Sequence, residues 1–195
     1  DVPLNVPGGP YLRFVGTGMQ LTVAGQTLSG DFLVERSVDL GADGIIGGPN
    51  ADVTVLRIGV SNVNASFGPL SVTNASGIVL VEGGTVAGDL QGTVALSVPG
   101  VSLGGTFKVQ FNTGAAVSTK LQVGASVLTL NVPGNTVQVS ATGLDLNVLG
   151  QSLHGDFTIT KNADGSIDVS AQNVVVKLGG SAAAPLVTVT QSGTG

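Results

Sequence analysis

Two acidic segments carry the residue types best suited to chemistry. DLGADGIIGGPNAD at 39–52 gathers Asp39, Asp43, Asn50 and Asp52, and KNADGSID at 161–168 supplies Asn162, Asp164 and Asp168. Calcium takes roughly six to eight oxygen ligands, mostly carboxylate and carbonyl, which such loops can gather. The N-x-D-G-x-x-D spacing from Asn162 to Asp168 matches part of a calcium loop but lacks its closing glutamate. Calcium is therefore the one cofactor these residues suggest, with Asp39, Asp43, Asp52, Asn162, Asp164 and Asp168 as its metal ligands. Asp-Gly between two strands is also the standard hairpin turn, and turn chemistry alone accounts for both segments.

Catalytic constellations are thin. His154 is the single histidine. It stands two places before Asp156, so a strand would aim both at one polar face. Its counterparts in sister segments are Ser29 and Gly104, and no nucleophile elbow accompanies it. Asp31 and Asp156 occupy equivalent positions, with Thr106 between them in the series, and are expected to be solvated strand-face acids. There is no cysteine, which excludes disulfides and thiol chemistry. The glycine strings at 16–18 and 81–84 have no following helix to cradle phosphate. Asn64 and Asn74 head Asn-Ala-Ser triplets that fit glycosylation acceptors only formally. With one tyrosine and no tryptophan, a sugar-stacking platform is poorly supplied. The expectation is a non-enzyme.

The elements that position these residues are repeated. LTVAGQTLSGDF at 21–32 returns as LSVPGVSLGGTF at 96–107 and as LNVLGQSLHGDF at 146–157. Apolar residues fall at every second place, the mark of a strand with one buried face. Between the two runs of each phrase sit Ala24-Gly25, Pro99-Gly100 and Leu149-Gly150, so each phrase predicts a β-hairpin. Gly30, Gly105 and Gly155 fall on the apolar side, where a neighbouring ring or backbone is expected to pack closely. Elsewhere the parity of the alternation flips, at Gly18, Asn62, Gly143 and Asn173. One extra residue produces such a flip, and Gly or Asn tolerates the backbone of a β-bulge. Long strands that pass at each bulge from one face of a core to another are the expected result.

A longer period underlies the phrases. Residues 6–32 match 132–157, Asn62–Gly68 match Asn173–Gly179, and VTNASG at 72–77 matches VTQSG at 189–193. This divides the chain into a first full unit, 1–131, with hairpins at 19–36 and 94–111, and a partial second unit, 132–195. A fragment of a tandem array would look like this. With 42% hydrophobic residues but 4% aromatics, the core must be Val, Leu, Ile and Ala. Those residues suit a pleated surface. No helical periodicity competes. The fold class is all-β: antiparallel hairpin repeats with long bulged strands, forming a sandwich or elongated β-stack, with a β-solenoid as the alternative.

Charged residues are only 10% of the chain and its formal net charge is −5. No basic patch is present for nucleic acid or anionic lipid. No run reaches the ~20 apolar residues of a helical span, so membrane insertion is not expected. DVPLNVPGG at the N-terminus has neither the basic start nor the apolar run of a signal peptide. The GxxLxGxF hairpin, VTNASG, and VPGVSLGGTFKVQFNTG at 98–114 resemble the Gly/Val/Thr-rich tandem repeats of very large bacterial surface or secreted proteins. That resemblance implies a stalk, adhesin or matrix component. The expected function is a structural or adhesive repeat module, a stalk or filament subunit at the cell surface or outside the cell. Its expected partners are neighbouring copies of the same repeat. A calcium- or glycan-binding sandwich, with surface glycans as partners, is the alternative.

Overall fold

The computed structural model describes residues 10–23, 26–180 and 183–191. Twelve strands account for most of them: β1 (Leu12–Val23), β2 (Gln26–Asp39), β3 (Val53–Phe67), β4 (Leu70–Glu82), β5 (Thr85–Val98), β6 (Val101–Asn112), β7 (Val117–Val123), β8 (Ser126–Val132), β9 (Thr136–Val148), β10 (Gln151–Lys161), β11 (Ile167–Leu178) and β12 (Val187–Thr190). The one helical element among the described residues is a 3-10 turn at Gly41–Asp43. Ten strands form a single antiparallel sheet in the order β1-β2-β3-β4-β5-β6-β9-β10-β11-β12, and β7-β8 form a separate hairpin. The fold is all-β and built from hairpins, as expected. The sheet is open, with β1 and β12 at its edges.

The repeated phrases are the hairpins β1-β2, β5-β6 and β9-β10. Val98 pairs with Val101 across Pro99-Gly100, and Val148 pairs with Gln151 across Leu149-Gly150. Gly100 and Gly150 supply the positive φ their turns need, at 80° and 84°. The Ala24-Gly25 turn lies outside the described residues. The inner glycines behave as expected: a Cβ on Gly30 would stand 2.7 Å from Val63 Cγ2, and one on Gly105 would stand 3.2 Å from Leu144 Cα.

Bulges interrupt the pairing of five strands. An extra residue enters β1 near Gly18, β3 near Asn62, β4 near Asn74, β9 near Gly143 and β11 near Asn173. Each of these residues has φ between 52° and 58°, the left-handed region that Gly and Asn enter at least cost. Four of the five are the sites where sequence parity flips. Their consequence, however, is the opposite of the one expected. The straight strand β6 pairs Phe107 with Ala141 and Leu103 with Leu146, so all four share one face, although 141 and 146 differ in parity. The bulge absorbs the extra residue and the parity flip compensates it. The apolar residues therefore stay on one side of the sheet instead of crossing to another.

The sheet consequently has two unlike faces. The first carries all six phenylalanines, and its only charged side chains are Arg36 and Lys161. The second carries most of the charged strand residues, Arg13, Glu35, Arg57, Asp89 and Lys108 among them. Within that charged face lies one apolar patch, and there the β7-β8 hairpin is seated. Leu121, Val123, Leu130 and Val132 of the hairpin pack on Leu33, Val55, Ile78, Leu80 and Ala87 of β2–β5. Leu33, Val123 and Leu130 are fully buried, each worth about 1.5–3 kcal/mol of transfer free energy. Gly59 permits the close approach, since a Cβ there would meet Val123 Cγ2 at 2.5 Å. The boundary at 131/132 falls at the end of β8, and β6-β9 pairing continues the sheet across it.

Candidate functional site

The acidic segments fold as loops in which most carboxylates accept hydrogen bonds from the loop itself. In 39–52, Gly41 N donates to Asp39 Oδ1 at 3.0 Å and Gly47 N to Asp52 Oδ2 at 2.8 Å. Asp43 accepts from Ile45 N and Asn50 N, both at 3.1 Å, and these bonds hold its carboxyl below the ordinary value of 3.8. Asp52 Oδ1 is buried without a hydrogen-bond partner. In 161–168, Ser166 donates from its hydroxyl and its N–H to Asp164 Oδ1, which lowers that pKa. Asn162 Nδ2 donates to Asp168 Oδ2 at 2.6 Å. Asp39, Asp43, Asn50 and Asp52 thus belong to one loop, and Asn162, Asp164 and Asp168 to another. Four strands, β4, β5, β6 and β9, lie between the β2-β3 and β10-β11 hairpins, so the two sets do not join. Among the described residues no group of three or more His, Cys, Asp or Glu is arranged to hold a metal.

His154 lies on the charged face, as expected, but its partner is Asp145, whose Oδ1 is 2.8 Å from His154 Nδ1. Both side chains are exposed. On the same face, Glu35 accepts from Tyr11 Oη and Arg57 Nη1, both at 3.1 Å, beside an open cavity of about 530 Å³. Lys108 and Asp89 pair at 3.0 Å on the far side of the hairpin.

Asp31 and Asp156 do more than face solvent. Asp31 Oδ1 accepts from Gly18 N at 2.8 Å, and its Oδ2 accepts from Asn62 Nδ2 at 2.9 Å. One carboxylate therefore ties the bulge of β1 to the bulge of β3 across the strand between them. Asp156 repeats this with Gly143 N at 2.7 Å and Asn173 Nδ2 at 2.6 Å. The match of Gly18-Asp31 with Gly143-Asp156 marks a structural period of 125 residues, since 143 − 18 and 156 − 31 agree. Thr106 holds the equivalent place in the straight hairpin β5-β6, where β5 has no bulge to tie.

Both carboxyls titrate below 3.8, chiefly because the bulge N–H bonds the charged form, with the Asn amide second. A depressed folded pKa gives stability that is complete above the unfolded value and lost as pH falls through the folded one. The clamps should therefore add nothing to pH dependence at neutrality, and stability should fall below about pH 4. Denaturant titrations of Asp31→Asn/Asp156→Asn should show a shallower acid loss, with the remainder from Asp43 and Asp164. An unchanged acid slope would show that the clamps do not act in this way.

No protein-family model matches the chain, and no curated protein or solved structure does so either. Sequence reasoning missed two features: the role of β7-β8 as a cover and the bulge clamps. The first had a signal in the alternation of Val117–Val123 and Ser126–Val132 around Gly124-Ala125. Alternation, however, does not say which surface a hairpin will cover. The clamp had a signal in the pairing of Asp with flip sites at Gly18/Asn62 and Gly143/Asn173.

Proposed function

We propose that the chain is a structural or adhesive repeat module, a length of stalk or filament of a bacterial surface or secreted protein, without catalysis of its own. One observation carries this reading. The β1–β3 unit and the β9–β11 unit share their bulges and their Asp clamps, yet lie in the same uninterrupted sheet. β12 pairs with β11 as β4 pairs with β3. A further repeat can therefore add strands in register, with the hairpin cover supplied once per period. The cysteine-free composition, low in charge, supports a place at or beyond the cell surface.

Each 125-residue period contributes six sheet strands, β1–β6, so an added period should lengthen the particle by about 29 Å at the usual strand spacing. Negative-stain microscopy and small-angle scattering on chains extended by one and two periods would check this, with calcium and with chelator. Constant increments independent of calcium are the expected result. Periods that fold as separate beads would overturn it, and calcium-dependent lengthening would promote the 39–52 and 161–168 loops to metal sites.

A further inference from the structure

The phenylalanine-bearing face has no covering layer among the described residues. On it, Phe14 is 49% exposed, Val139 42%, Ile159 52% and Val169 68%. We propose that this face is the interface of a closed dimer, in which two copies of the chain pack their apolar faces together as a β-sandwich.

Four properties of the face select a second copy as its occupant. Its two charged side chains, Arg36 and Lys161, both lie near the ends of their strands, next to the acidic loops, so an isologous contact leaves them at the rim. Its surface is level, because large side chains lie across glycines. A Cβ on Gly88 would meet Phe111 Cζ at 2.4 Å, and one on Gly77 would meet Leu90 Cδ2 at 2.3 Å. Level sheet faces pack at about 10 Å with strands within about 30° of alignment. The opposite face already shows the preferred cover for such Val/Leu surfaces, which is another β layer, the β7-β8 hairpin. Finally, the area suffices. Nine strands of 11 to 15 residues span roughly 40 by 38 Å, or about 1,500 Å² on each copy. Even half coverage buries about 1,500 Å² in total, within the roughly 1,200–2,000 Å² of a stable interface.

This association differs from edge pairing, which would extend the sheet without limit. A face-to-face pair closes at two copies and leaves both edges free.

Sedimentation velocity of the full chain, from low to high micromolar, tests the inference. A dimer that does not grow further with concentration is expected. Val139→Lys/Ile159→Lys/Val169→Lys should weaken it roughly a hundredfold or more. The circular dichroism should not change, because these side chains are already exposed in one copy. If the lysine variant fails to fold, Val139→Thr/Ile159→Thr/Val169→Thr preserves strand propensity and should still weaken the dimer measurably. A monomer at every concentration would overturn the inference, as would a dimer that survives the folded lysine variant. Monomers that float with neutral phosphatidylcholine vesicles would assign the face to lipid and overturn it too. Polymers that grow with concentration and ignore the lysines would also overturn it, while leaving the stalk reading intact. A lysine-sensitive dimer whose extended chains do not lengthen would do the reverse.

Discussion

Leu130→Ala should lower the unfolding free energy by about 3–4 kcal/mol. Leu130 is fully buried where the β8 strand presses on the sheet, and its contacts there are Leu and Val of the only sealed core among the described residues. Removing the side chain loses its transfer free energy and leaves a void, because Val123, Val132 and Ile78 are held by their own strands. The hairpin has no hydrogen-bonded ladder to the sheet. Side-chain packing holds it in place, helped by Ser61 Oγ donating to Val123 O and Asn112 Nδ2 donating to Val132 O, both at 3.3 Å. Val127 lies on the outer surface of the same hairpin at 59% exposure, and Val127→Ala should cost less than about 1 kcal/mol. Urea titration would compare the two midpoints at constant m-value. A loss below about 1 kcal/mol for Leu130→Ala would mean that the hairpin is not seated as described.

Deleting Asn62 should be more damaging still. The deletion removes the bulge residue and restores regular alternation to β3. Val63, Ala65 and Phe67 would then turn to the charged face, or β3 would slip one place against β2 and β4. Val63 and Ala65 are 7% and 8% exposed, so the transfer loss for these two alone is about 2–4 kcal/mol. Added to the lost ladder bonds and the broken Asp31 clamp, this should abolish cooperative unfolding. Asn62→Gly keeps the positive φ and loses only the side-chain bond, so it should fold with a cost of about 1 kcal/mol. Thermal unfolding of both variants by circular dichroism distinguishes them. A deletion variant that melts as sharply as the parent would show that the parity of β3 is not tied to the bulge.

These two variants also mark how far the sequence reaches. Alternation in LSVPGVSLGGTF fixes a strand, its turn and its apolar side, because period two is a local property of a pleated chain. Gly18, Asn62, Gly143 and Asn173 could be located as bulges for the same reason: a positive φ and a parity flip are both written in neighbouring residues. Asn74 was hidden, since β4 runs on from VTNASG into Ile78-Val79-Leu80-Val81, an unbroken apolar run in which parity cannot be read. The acidic loops read both as ligand sets and as turns, because carboxylates that accept backbone N–H groups and carboxylates that bind cations have the same sequence.

What one strand's pattern cannot contain is the identity of the surface beyond it. Whether the runs on either side of Asn62 share a face depends on register against β2 and β4, and only pairing shows that they do. The seating of Val117–Val132 depends on a patch assembled from four strands, β2–β5. The link from Gly18 through Asp31 to Asn62 likewise requires three strands side by side. Sequence alone determined the repeated hairpins and four of the five bulges, all products of local backbone geometry. Only the tertiary structure decided which face is charged, which is covered and which is open, because a face is the sum of side chains from many strands brought into register.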